Sequence, residues 1–116
     1  MSSPLALSAA RSVQLSLLGN ERQTLVTIDD ALSDPDLVVS IAARHAFQPI
    51  GPFYPGIRAA VSEAVSAPLL DGLADMLTSA FALDRQPRFL ECFLSIVTAQ
   101  PQALAPIQRL PHFDGT

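Results

Sequence analysis

Few residues of this 116-residue chain are suited to chemistry, and two of them stand together in Pro111-His112-Phe113-Asp114. An imidazole and a carboxylate are the ligand types of the two-His-one-carboxylate facial triad, which holds Fe(II) by one face and leaves positions open for substrates. On an extended segment, residues i and i+2 point to the same side. His112 and Asp114 therefore converge there, while Phe113 turns towards a core. The same residues also suit a solvated turn, with Asp114-Gly115 as the turn dipeptide. The spacing alone leaves both readings open.

Three further side chains are candidates for pocket walls: Tyr54, Arg58 and Gln108. Tyr54 and Arg58 flank the turn residues Pro55-Gly56. An arginine there either grips a carboxylate with two parallel N–H donors or braces its own loop by donating to carbonyls. Tyr54 either lines a pocket or packs with its hydroxyl bonded. A strand over 107–110 running into the motif places Gln108 and Leu110 on the face of His112 and turns Arg109 away. His45, the only other histidine, falls near a helix end and reads as a capping or surface residue rather than a third ligand. Cys92 is the only cysteine, which excludes an intrachain disulfide. It lies in an apolar run and reads as a small core residue, inert as a nucleophile. The chain has no Gly-x-Ser-x-Gly elbow, no Walker loop and no Gly-x-Gly-x-x-Gly.

Composition narrows the partners. The net charge is −4, lysine is absent and the arginines are scattered. A nucleic-acid surface needs a basic patch to neutralise phosphates, and an anionic membrane needs the same, so neither is expected. No apolar run reaches the length of a membrane span, and the N-terminus lacks the basic and apolar regions of a signal peptide. A cytoplasmic protein is the expectation. Apolar residues make up 49% of the chain and charged ones only 16%. A chain this apolar is expected to hide surface against a partner, a second copy or a remainder of its own fold.

The elements that must position these residues follow from patterning. Residues 13–17 alternate apolar and polar, Gly19-Asn20 marks a turn, and 23–28 is rich in β-formers, which together predict a hairpin. Ser33-Asp34-Pro35-Asp36 is a helix start, with Leu37, Val38, Ile41 and Ala42 on one face and an end near His45-Ala46. Residues 48–56 hold three prolines and two glycines and must be a loop. Ser66-Ala67-Pro68 predicts a second helix carrying an apolar stripe of Leu69, Leu70, Leu73, Met76, Leu77, Ala80 and Phe81. Residues 88–98 read as a central strand covered on both faces. Pro101 and Pro106 bound a linker.

Tyr54-Pro55-Gly56-Ile57-Arg58, the following helix, the strand 93–98 and the run from Pro106 to Asp114 together resemble an uncharacterised bacterial family of the DUF6445 type, related to the 2-oxoglutarate- and Fe(II)-dependent oxygenases. The resemblance covers residues 13–114. It implies an α+β fold, the N-terminal part of a double-stranded β-helix (jelly-roll), with antiparallel strands and two main helices packed on the sheet. It also implies Fe(II) and 2-oxoglutarate as cofactors, His112 and Asp114 as the first two iron ligands, and hydroxylation of an unidentified small-molecule or protein substrate. The distal histidine and the residue gripping 2-oxoglutarate lie on later strands in that fold, so no position here is assigned to them. Residues 1–116 are therefore expected to be a single but incomplete domain, with 1–11 a flexible N-terminus and the chain alone inactive. The alternative is a non-catalytic binding or structural protein on the same fold, pairing as a homodimer through an exposed sheet edge.

Overall fold

The computed structural model describes residues 4–112. The expected hairpin is present. Strand β1 (Ser12–Leu18) pairs antiparallel with β2 (Gln23–Asp29) in a register that sets Val13 opposite Ile28, Leu15 opposite Val26 and Leu17 opposite Thr24. Gly19 and Arg22 both take positive φ in the turn, which the Arg22 N–H closes by donating to the Gly19 carbonyl at 3.2 Å. Alternation gathers Val13, Leu15, Leu17, Val26 and Ile28 on one face of the ribbon.

Helix α1 (Pro35–Ala42) begins where the capping signal places it. The Asp34 carboxylate accepts from the Leu37 N–H at 3.1 Å, and Pro35 opens the first turn, where a missing N–H costs nothing. The helix ends at Ala42, shorter than expected, and His45 follows it. Its Nδ1 lies 2.9 Å from the Ile41 carbonyl. A carbonyl only accepts, so Nδ1 carries the proton and His45 serves the helix end. Asp34→Ala is expected to cost about 1 kcal/mol in a urea melt, with Asp34→Asn close to neutral.

Strand β3 (Gly56–Ala60) pairs antiparallel with β4 (Phe93–Val97), setting Gly56 opposite Val97 and Arg58 opposite Ser95. On its other edge β3 exchanges two hydrogen bonds with Gln48, each of 2.9 Å at Arg58. Helix α2 (Glu63–Ala80) starts three residues earlier than the Ser66 signal suggests, and Pro68 lies inside it. Proline at that point removes one bond to the Ala64 carbonyl, on an exposed residue that water reaches. The predicted stripe from Leu69 to Ala80 is half-buried, Phe81 is exposed, and Asp71 and Asp75 face solvent.

A small apolar cluster joins these parts. Pro4, Leu5, Val38, Ile41, His45, Val61, Val65 and Leu94 surround one narrow cavity, so α1 and the start of α2 sit on the face of the β3–β4 sheet that carries Leu94. Pro4, Leu5, Leu7 and Ser8, from the segment read as a flexible N-terminus, pack or pair with the rest of the chain. Leu5 is only 8% exposed, Leu7 bridges to Leu32, and the Ser8 N–H donates to the Ala31 carbonyl at 2.8 Å. Gly72 admits the Leu7 side chain against α2; a Cβ there would stand 2.7 Å from the Leu7 Cδ1.

Three expectations need correction. The strand expected over 88–98 is five residues long, because β3 offers only five positions to pair with, and four of its five residues are exposed rather than covered on both faces. Residues 107–110 are not a strand: Pro106–Arg109 is a 3-10 turn, with Pro106 fixing its first φ. Cys92 is half-buried rather than a core residue. The chain is thus α+β, with two two-stranded antiparallel sheets and two helices among the described residues. Leu5 and Ala59 are the buried apolar residues among those described. The accessible surface is 9029 Å², against about 6,100 Å² for a folded monomer of this mass. The radius of gyration is 16.3 Å, where roughly 13 Å is usual for this length.

Candidate functional site

The structure brings Tyr54 and Arg58 together, and β-sheet geometry explains how. Arg58 gives both backbone groups to Gln48, so across from β4 it forms a non-hydrogen-bonded pair with Ser95, the type in which side chains stand closest. Phe93 is two residues from Ser95 on the same face, the diagonal neighbour of Arg58. Directly opposite Phe93 is Ala60, whose small side chain leaves the ring room to reach across. The Arg58 guanidinium carbon lies 4.1 Å from the centroid of the Tyr54 ring and 5.5 Å from that of Phe93.

A cation over the face of an aromatic ring is attracted by its quadrupole, by about 0.5–2 kcal/mol depending on desolvation. Two rings thus hold one flat guanidinium in place. Against this, the Arg58 Nε is buried without a hydrogen-bond partner, which costs about 1–3 kcal/mol and more for a charged donor. Loop bracing is one of the two roles open to an arginine at this position. Among the described residues the side chain donates to no carbonyl, so bracing through side-chain hydrogen bonds is not what holds the loop. The loop is tied instead by backbone pairing at Gln48 and by the stacking on Tyr54.

Gln108 is not placed as strand alternation suggests. Its Oε1 accepts from the Ala105 N–H at 2.8 Å, which caps the 3-10 turn it belongs to. The Arg109 guanidinium donates to the Pro101 carbonyl at 3.0 Å and ties that turn to the preceding one, Pro101–Ala103. His112 is exposed, with Nδ1 3.3 Å from the Leu110 carbonyl. Asp114 lies outside the described residues. Among the described residues no three His, Cys, Asp or Glu side chains gather as a metal site.

Sequence reading passed over one further feature, a groove of about 520 Å³ between α2 and residues 88–92. Glu63, Asp71, Arg88, Glu91 and Cys92 are among the residues along it. Its walls belong to a helix and to a stretch read as strand, so only the shortening of that strand reveals it. Among the described residues no helix is long and apolar enough to cross a membrane.

The fold and site define a small α+β protein with an aromatic-held arginine on an open sheet face. The chain belongs to a family of unknown function, DUF6445, whose model matches residues 9–116. No curated protein matches the chain, and no solved structure does.

Proposed function

We propose that the chain contributes His112 and Asp114 as two ligands of an Fe(II) site in a 2-oxoglutarate-dependent oxygenase built on a double-stranded β-helix. The observation that carries this reading is the imidazole and carboxylate at i and i+2. The donor set suits the metal: an imidazole nitrogen and a carboxylate oxygen are ordinary Fe(II) ligands, and the Nδ1 of His112 lies 3.3 Å from the Leu110 carbonyl. Such a backbone bond also orients the ring. Asp114 adds the charge that offsets part of the cation's. Bound there, Fe(II) supplies the chemistry by which such enzymes hydroxylate a small-molecule or protein substrate with 2-oxoglutarate and dioxygen.

The test is spectroscopic. Protein made anaerobic and given Fe(II) and 2-oxoglutarate is expected to develop a weak visible charge-transfer band, and His112→Ala or Asp114→Ala is expected to remove it. No band in the unaltered protein, with no metal-dependent consumption of 2-oxoglutarate, sinks the reading. A second reading is a non-catalytic binding or structural protein that pairs with a second copy. The open apolar face of the β1–β2 ribbon favours it, since exposed patches of this kind mark interaction surfaces.

A further inference from the structure

We propose that Arg58 is the receptor for a carboxylate, held ready by Tyr54 and Phe93. Three observations converge on it. The guanidinium carbon lies over two aromatic rings, at 4.1 and 5.5 Å from their centroids, which holds the cation at one place on the sheet. Its Nε is buried with no acceptor, so a charged donor has been taken from water and left unmatched. The sheet face that carries it, with Phe93, Ser95 and Val97, is exposed, so a ligand has a way in.

The chemistry selects the ligand. A guanidinium presents parallel N–H groups that match the two oxygens of a carboxylate. One cation neutralises one negative charge. Phosphate carries more, and cradling it normally takes further cations or a row of backbone N–H groups; this chain has no lysine. A carboxylate at the outer edge of the guanidinium accepts from its two terminal nitrogens together, while the burial of Nε leaves the cation partly desolvated and strengthens its attraction for an anion. The carboxylate comes either from a free small acid or from an Asp or Glu side chain of a polypeptide. The assignment is independent of His112 and Asp114.

The chain has one tyrosine and no tryptophan, so its intrinsic emission reports on Tyr54 alone. Titration of the full chain with succinate, at constant ionic strength set by sodium chloride, is expected to change that emission saturably. Succinamide, the same shape without charge, is expected to do nothing. Arg58→Gln should abolish the response. Arg58→Lys, which keeps the charge but not the fork, should weaken binding at least about tenfold, the factor that corresponds to 1.4 kcal/mol. A short end-blocked peptide with one glutamate distinguishes the sources: a response to succinate alone assigns the site to free acids, and a response to the peptide assigns it to side chains. No saturable response to either, an equal response to succinamide, or an undiminished response in folded Arg58→Gln overturns the proposal. The succinate–succinamide comparison needs no variant and decides the matter even where Arg58→Gln fails to fold.

Discussion

Gly56→Ala is expected to separate β4 from β3 and to lower stability by about 3 kcal/mol or more in a urea melt, at the severe end for a single substitution. The cause is a close approach and not an unusual backbone. Gly56 lies opposite Val97 in a non-hydrogen-bonded pair, where the two backbones come nearest. A Cβ on residue 56 would meet the Ile96 carbonyl and stand 2.9 Å from the Val97 Cα. Every one of these atoms is backbone, so no side chain can rotate away and β4 itself must move. The hydrogen bonds from the Thr98 and Ala99 N–H groups to the Pro55 carbonyl, at 3.0 and 3.1 Å, go with it. So does Phe93, one of the two rings over Arg58, and the emission of Tyr54 is expected to change with the unfolding signal. Gly19→Ala is the control. Gly19 has φ +73°, and a methyl group added there would meet nothing within 4 Å, so it costs only the left-handed penalty of roughly 1–2 kcal/mol. Equal losses at both positions would show that the β3–β4 approach is not tight.

This result explains part of what the sequence conceals. Pro55-Gly56 reads as a turn, because proline and glycine usually mark one. Here Gly56 is the first residue of a strand, and its absent side chain serves pairing. β3 itself escapes pattern reading because Ile57 is its lone strong β-former, while Arg58, Ala59 and Ala60 neither alternate nor favour β structure; the strand exists because β4 and Gln48 pair with it. The β1–β2 hairpin and the start of α1 are legible for the opposite reason. Their signals are local: alternation over residues 13–17, and Asp34 with Pro35 at a helix start. The Arg58 site is half legible. Tyr54 and Arg58 are close in sequence, but Phe93 reaches them only across a sheet whose register no short motif reveals. Gln108 misleads because its placement assumed a strand, and Pro106 with a glutamine two residues on makes a self-capped turn instead.

Leu15→Lys with Leu17→Lys is expected to change how the chain associates more than how its hairpin pairs. β1 has every residue exposed, and Val13, Leu15 and Leu17 are 43%, 61% and 56% accessible on the ribbon face they share with Val26 and Ile28. An isolated two-stranded ribbon is marginal in water, and it gains stability when its apolar face is covered. If a second copy covers it, each leucine buried is worth about 1.5–3 kcal/mol and is counted once in each copy. Two lysines on that face then raise the dissociation constant by at least about a hundredfold, since each factor of ten needs only 1.4 kcal/mol. Gln14→Lys with Ser16→Lys makes the same charge change on the opposite face and is expected to leave association nearly unaltered, because those side chains point away from the stripe. Sedimentation velocity over a range of concentrations reads the difference. A chain that stays monomeric throughout removes the second copy as the occupant. Equal weakening by both pairs of lysines would mean that net charge, and not this face, governs association. A double-leucine variant that loses stability while monomeric would place the cover within the protein's own fold, which is the arrangement that a closed double-stranded β-helix requires.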